Sequence, residues 1–374
     1  MVLTKTKLGD LLALVDRRNV DGYYGADDVR GVNNHKLMIR TKADVSSRDF
    51  SKFQIVLPGE FFFNHRTSRN GSKFSVTYNY DDDPRIVTED YVVFRVANED
   101  LLCPGWLYLF LCRPEYDRYA IQNSWGSSTE FFNWSDLCYT NIDLPPIDVQ
   151  KKYVAIYEAL LANQQAYENG LIDLKLSCDA LLDRCKRAKT WNRIGDHLQE
   201  IDVRNSDGSC DVAYGINIKK EFMVSKASSD DLLRYKLVKP GQLAYSAMQT
   251  GRDKCIRLAL NETNTTLAVS PAYSVLEPNR NGVDARFIML WFSRAESDRY
   301  GWFLSDASVR ANLDLNRFLD IKIPIPDTLV QNALCNLYSA LRIRSAINDR
   351  LKNQLKDICP ILIRGSIEEA SQTS

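Results

Sequence analysis

From Tyr153 onward, apolar and aromatic positions recur in alternating steps of four and three: Tyr153, Tyr157, Leu160, Gln164, Tyr167, Leu171, Leu174, Cys178, Leu181 and Cys185. Only Gln164 interrupts the series. Such spacing holds one seam of an α-helix toward a partner helix, the coiled-coil pattern. It predicts a helix from about Ile147 to Lys186, opened by Leu144-Pro145-Pro146 and capped by Asp148. Roughly 40 helical residues span on the order of 60 Å, which makes a spacer rather than an ordinary globular helix. Asn169-Gly170 could mark a turn. The seam keeps its phase through Gly170, however, so one helix is expected, with the glycine costing it about 1 kcal/mol.

A second pattern of this kind opens at Ile323-Pro324-Ile325-Pro326-Asp327 and is expected to end before Pro360. Leu337, Leu341, Leu351, Leu355 and Ile358 keep the phase, with Arg344 and Asn348 as polar members, and Thr328 and Gln331 have capping-box spacing. Tyr157-Glu-Ala-Leu160 matches Tyr338-Ser-Ala-Leu341, 181 positions later.

The rest of the chain repeats in the same order. Leu8-Gly9-Asp10 parallels Ile194-Gly195-Asp196, and Arg18-Asn19 parallels Arg204-Asn205. The strand-and-turn at Val56-Leu-Pro58-Gly59 parallels Val238-Lys-Pro240-Gly241, and Tyr91 parallels Tyr273. Arg113-x-Glu115-x-Asp117-Arg118-Tyr119 reappears as Arg294-x-Glu296-x-Asp298-Arg299-Tyr300. The offset falls from 186 to 182 and then holds at 181, as small loop insertions within a duplicated domain would produce. The expected fold class is α+β: two homologous mixed α/β globules, 1–145 and 189–325, separated and followed by long helices, 146–188 and 326–374. If the seams pair, the helices run antiparallel and the whole has a pseudo-twofold axis.

Composition narrows the picture. At 374 residues, with 45% hydrophobic and 26% charged, the chain can bury proper cores. A formal charge of zero argues against a broad basic surface but leaves room for a local basic face. Nine cysteines, an odd number without a CxxC pair, suggest free thiols in a reducing compartment. Met1 to Val15 lacks a signal-peptide core, and the longest apolar run, Leu101 to Cys112, is too short to span a bilayer. A cytoplasmic protein with no membrane association is expected.

Catalytic chemistry is hard to find. No glycine precedes a lysine, so no phosphate-binding loop is present, and no N/D-P-P-Y/F tetrapeptide for amino-methylation of a base occurs. Pro326-Asp327 lacks the acidic-x-Lys partner of a nuclease. Asp320-Ile-Lys322 and Asp173-Leu-Lys175 read as strand-edge and helix-surface charges. His35, His65 and His197 stand apart from metal spacing, and Cys178 and Cys185 read as seam packing. No cofactor is expected.

What remains is binding chemistry on loops. Asn64-His65-Arg66-Thr67-Ser68-Arg69-Asn70-Gly71-Ser72-Lys73 reads either as a solvated hairpin tip or as a surface offering guanidinium and amide groups to base edges and lysine and serine to phosphates. Its counterpart in the second unit, Ser246 to Lys254, carries Gln249, Thr250, Arg252 and Lys254. A later loop pair sets Gln122-Asn123-Ser124-Trp125 against Ser305 to Arg310, with Ser308 and Arg310. Matched framework with mismatched polar loops suits two readers of different sequences, and it also suits drift. The candidate DNA-binding set is Asn64, Arg66, Ser68, Arg69, Asn70, Lys73, Gln122, Asn123, Gln249, Thr250, Arg252, Lys254, Ser308 and Arg310.

This order of segments resembles the specificity subunit of type I restriction–modification enzymes. The residues carrying the resemblance are Leu8-Gly9-Asp10, Val56 to Gly59, Leu144-Pro145-Pro146 to Gln150, Ile194-Gly195-Asp196, Val238 to Gly241, Ser270-Pro271-Ala272-Tyr273, and Ile323-Pro324-Ile325-Pro326 to Gln331. The resemblance implies two target-recognition domains, each reading half of a bipartite site on double-stranded DNA. It implies helices that set the gap and dock modification (methyltransferase) subunits and, through them, restriction (nuclease/translocase) subunits. The chain would then have no catalysis of its own. The main rival reading is a coiled-coil adaptor whose globules bind proteins. A stand-alone nuclease or methyltransferase comes third.

Overall fold

Short strands with branched or aromatic residues at most positions, interrupted by Gly, Asn and Pro turns, build the globular parts, and two long helices carry the seams. The computed structural model describes residues 3–33, 35–41, 44–45, 47–66, 73–126, 130–187, 190–225, 232–248, 254–279, 283–305 and 312–372. The first part of the chain runs β1 (Thr4–Lys7), β2 (Leu12–Val15), β3 (Arg30–Val32), β4 (Met38–Arg40), β5 (Gln54–Val56), β6 (Phe61–Asn64), β7 (Val76–Tyr78), β8 (Arg85–Val87) and β9 (Tyr91–Val96). Then come α1 (Pro104–Leu111), α2 (Pro114–Gln122), α3 (Trp134–Cys138), β10 (Asn141–Leu144) and α4 (Ile147–Cys185). The second part runs β11 (Trp191–Arg193), β12 (Leu198–Ile201), β13 (Ala213–Ile216), β14 (Phe222–Val224), β15 (Lys236–Val238), β16 (Leu243–Ser246), β17 (Arg257–Leu260), β18 (Leu267–Val269) and β19 (Tyr273–Pro278). It closes with α5 (Ala285–Phe292), α6 (Ala295–Leu304), α7 (Leu315–Leu319), β20 (Lys322–Pro324) and α8 (Thr328–Gln372). This is the expected mixed α+β architecture. By its contacts the chain divides into one unit of Met1–Ala166 with Asn348–Ser374 and another of Tyr167–Ile347.

In the first unit, β2-β9-β6-β7 form an antiparallel sheet and β1 pairs with β10. Phe61 and Phe63 join Trp106, Leu107, Leu109 and Phe94 in the main core. Phe62, one residue out of phase, enters a second cluster with Met38, Val56, Val87 and Val93. Both faces of the sheet are therefore covered, which explains an unbroken Phe61-Phe62-Phe63 run in place of alternation. The second unit has the same strand order, β12-β19-β16-β17, and β11 pairs with β20.

The matched motifs have matched jobs within each unit. A Cβ on Gly9 would lie 2.8 Å from that of Cys138, and one on Gly195 would lie 3.1 Å from that of Leu319, so the Gly-Asp segment passes too close to a short helix for a side chain. Gly59 and Gly241 take φ of +80° and +83° in the Pro-Gly turn, a region that suits glycine. Asn19 Nδ2 donates to the Tyr24 and Phe50 carbonyls, and Asn205 Nδ2 donates to those of Cys210 and Leu232. At the head of each long helix, glutamine reaches back to a proline carbonyl: Gln150 Nε2 to Pro145 O at 2.7 Å and Gln331 Nε2 to Pro326 O at 3.0 Å.

Three expectations about the long helices need correction. Asp148 is not the cap of α4. The helix begins at Ile147, Gln150 N already bonds Pro146 O, and Asp148 lies inside the first turn, where its charge favours the N-terminal dipole. Nor does Thr328 cap α8: Asp327 Oδ1 accepts from Val330 N at 2.9 Å, one residue earlier, and Gln331 bonds the Pro326 carbonyl. Finally, α8 does not stop before Pro360 but continues to Gln372. The proline removes one helix hydrogen bond at about 3 kcal/mol. Past it, however, Leu362, Ile363, Ser366 and Ala370 are buried, and Trp106 Nε1 donates to Ser366 Oγ at 3.0 Å. Packing after the proline outweighs its local cost.

Within the first unit the two helices run antiparallel. Lys152 meets Glu369 at 2.7 Å, and Gln164 Nε2 donates to Asn348 Oδ1 at 3.0 Å. The polar break of the first seam thus meets Asn348, one of the two polar members of the second. Within the second unit, Cys178, Leu182 and Cys185 share a buried cluster with Leu334, Cys335 and Tyr338. The two seam cysteines are packing residues there. Asn169-Gly170 lies inside α4 without a break.

Candidate nucleic-acid interface

Strand β6 ends at Asn64, where the chain leaves the sheet, and the way it leaves is fixed by hydrogen bonds. Asn64 N donates to Ser75 O at 3.0 Å, and its side-chain Oδ1 accepts from Arg66 N at 2.9 Å. His65 O accepts from Phe132 N at 2.8 Å, and Trp125 and Phe131 exchange two backbone bonds of 3.0 and 2.9 Å. Arg66, Phe131 and Trp125 therefore form a three-segment patch of bridges. This patch brings the first candidate loop beside the second, two stretches that the sequence treated separately.

The Arg66 guanidinium reaches Asp90 Oδ1 at 3.1 Å, with Arg66 mostly buried and Asp90 half-exposed. Its Nε is buried with no hydrogen-bond partner among the described residues. Burial, reinforced by the Arg66 cation, lowers the pKa of His65, whose ring stands edge-on to Phe131 at 5.2 Å. Gln122 closes α2 and is exposed. Asn123 Nδ2 donates to Tyr119 O at 2.8 Å, at the end of the helix. Lys73 is half-buried. Ser68, Arg69 and Asn70 lie outside the described residues.

The second unit repeats the ladder with other side chains. Met248 bridges Asn312, and Leu313 N donates to Ala247 O at 3.0 Å, as Phe132 N does to His65 O. Lys254 is exposed, with Nζ 5.2 Å from the centre of the Trp302 ring, within cation–π range. Gln249, Thr250, Arg252, Ser308 and Arg310 lie outside the described residues.

Sequence reasoning passed over the aromatic residues at these edges. Trp125 is 71% exposed on a backbone held by two hydrogen bonds, and in the second unit Tyr300 and Phe303 stack at 6.5 Å on α6 with Phe303 79% exposed. A tryptophan inside a run of Asn, Ser and Gly was the available signal. Guanidinium, amide and ring surfaces of this kind can hydrogen-bond and stack. Among the described residues, no group of three or more His, Cys, Asp or Glu could hold a metal ion, and no helix is long and apolar enough to cross a membrane.

No family model matches the chain, and no curated protein matches it. Among solved structures it is similar to the Type-I restriction-modification system S subunit from M. genitalium, with a TM-score of 0.57 and 13% identity over 98% of this chain and 95% of that one. The HsdS subunit from Thermoanaerobacter tengcongensis aligns over 98% of this chain and 96% of its own, with 15% identity and a TM-score of 0.41. The chain shares the fold of the M. genitalium S subunit over nearly its whole length.

Proposed function

We propose that this chain is the non-catalytic DNA-specificity subunit of a type I restriction–modification complex. The observation that carries the reading is the likeness of fold, over 98% of the chain, to a protein described as the S subunit of such a system. In this reading residues 1–145 and 189–325 are target-recognition domains, each for one half of a bipartite site on double-stranded DNA. The helical segments 146–188 and 326–374 set the gap between the halves, dock the modification subunits and, through them, the restriction subunits. The complex works in the cytoplasm. Two units with one strand order but different residues on equivalent bridges support a pair of readers with different targets.

Asn64, Arg66, Lys73, Gln122 and Asn123, with Ser68, Arg69 and Asn70 between them, are proposed to face one half-site. Lys254, with Gln249, Thr250, Arg252, Ser308 and Arg310, faces the other. Arg66 would have to share its guanidinium between Asp90 and a base or phosphate. With zero formal charge over the chain, DNA affinity has to come from such local groups and from the assembled partners. The test is reconstitution. Purified alone, the chain should neither methylate nor cut DNA; with modification subunits from its own host it should direct methylation to a two-part sequence. Turnover that tracks with this polypeptide alone would overturn the reading.

A further inference from the structure

Lys36 and Lys220 sit at the tips of the hairpins β3–β4 and β13–β14, both with positive φ (58° and 61°) and only 4% and 7% exposed. A lysine is rarely buried without a partner. Each has the matching aspartate of its own unit as partner. Lys36 Nζ lies 2.6 Å from Asp117 Oδ1, and Lys220 Nζ lies 2.7 Å from Asp298 Oδ1, the two aspartates standing in the first turns of α2 and α6. The same carboxylate oxygen also accepts a backbone N–H: Phe74 N at 3.0 Å in the first unit and Ile256 N at 2.9 Å in the second. Phe74 follows Lys73, and Ile256 stands two residues after Lys254. Both stand just after a proposed reading loop in the sequence. Lys36 Nζ adds a bond of 2.5 Å to Leu111 O, and Lys220 Nζ one of 2.6 Å to Ile256 O.

We propose that the Lys36–Asp117 and Lys220–Asp298 pairs are positioning pairs, each fixing where its reading loop returns to the fold and so setting the selectivity of its own half-site. The inference rests on the DNA-reading function proposed above. Stability alone is a poor reason for such a pair, because a buried ion pair is commonly no better than apolar packing of the same volume. What it supplies is geometry: a carboxylate locked by an ammonium can hold a backbone N–H in one place. The device occurs in both units although the loops it serves differ, Asn64 to Lys73 against Ser246 to Lys254.

The test uses the full chain assembled with its modification subunits, with methylation read by sequencing. Asp117→Asn should relax selectivity at one half-site by roughly tenfold to a hundredfold, the scale of one lost charge-assisted hydrogen bond, and leave the other half unchanged. Asp298→Asn should do the converse. Unchanged selectivity at both halves in folded variants, or an equal loss at both, overturns the proposal. If a single variant fails to fold, the doubly neutral Lys36→Met with Asp117→Leu is judged by the same readout. Hydrogen exchange in the unaltered chain decides independently of folding. The Phe74 and Ile256 amides should be strongly protected, and fast exchange at both overturns the anchor. A wild-type complex that leaves no two-part methylation pattern defeats the proposed function, while the exchange result still reports on the anchor.

Discussion

Replacing Gln164 by leucine isolates what the polar break in the seam does. Gln164 and Asn348 are 5% and 6% exposed and share a hydrogen bond of 3.0 Å. Gln164→Leu leaves the Asn348 amide buried without that donor, a loss of about 1–3 kcal/mol. Asn348→Leu removes the acceptor of that bond from Gln164 Nε2. The double variant removes both polar groups and packs leucine on leucine, which should be close to neutral or stabilising. The coupling in this cycle should therefore reach about 2 kcal/mol, with the double variant more stable than either single one. A transition in a unit of this size moves by about 2–4 °C per kcal/mol, so thermal melts of the four proteins resolve the effect, and urea titration checks it. A double variant that loses the sum of the two single losses would refute the reasoning. The pair should also hold register, as a buried polar residue does in coiled coils. In the double variant, a zero-length crosslink between Lys152 and Glu369 should form in lower yield.

Pro360→Ala should stabilise the first unit, by up to about 3 kcal/mol if the restored N–H finds its helical acceptor; a lower melting temperature would mean that the surrounding packing requires the ring. Gly9→Ala and Gly195→Ala should each destabilise by about 1–3 kcal/mol, because their new Cβ atoms meet Cys138 and Leu319 at 2.8 and 3.1 Å, and near-neutral urea midpoints would show that the short helices yield. Hydrogen bonds from Lys186 lower the pKa of both Asp183 and Glu296 below their ordinary 3.8 and 4.5. Carboxylates depressed in the folded state stabilise it above their unfolded pKa and lose that contribution as pH falls through the folded one. The second unit should thus weaken below about pH 4.5, with Lys186→Met flattening the slope, and melts at pH 3 to 6 check this.

The two long helices were legible because they rest on spacing, which survives sequence drift. The Asn19/Asn205 and Gly59/Gly241 pairs and the glutamines at Gln150 and Gln331 were legible too, since each performs a local backbone task. Pro360 was misread because local propensity says stop, and the burial of Ile363 and Ser366 that overrides it involves residues far away in sequence. Asp148 and Thr328 were misplaced by one or two residues because several polar residues near each helix start are chemically able to cap it. The Lys36–Asp117 pair was invisible: Asp117 stood out in the matched segment, but nothing in the sequence says that a turn lysine 81 residues earlier folds inward to meet it. Of the described candidate interface, the sequence supplied Asn64, Arg66, Lys73, Gln122 and Asn123 and the loop that holds Trp125, but not Asp90 or Phe131, which an ion pair and a backbone bridge bring to Arg66.

The most direct test of the account is the methylation pattern left in a genome by this chain supplied with its modification subunits. The wild-type pattern should be two short sequences with a fixed unspecified gap. Adding four residues near Gly170 lengthens the helix by about 6 Å and overshoots a full turn by only about 40°. That variant should keep both half-sites and shift only the gap, by between about one and two base pairs. A continuous site in the wild type, or an active variant whose gap has not moved, would contradict the account.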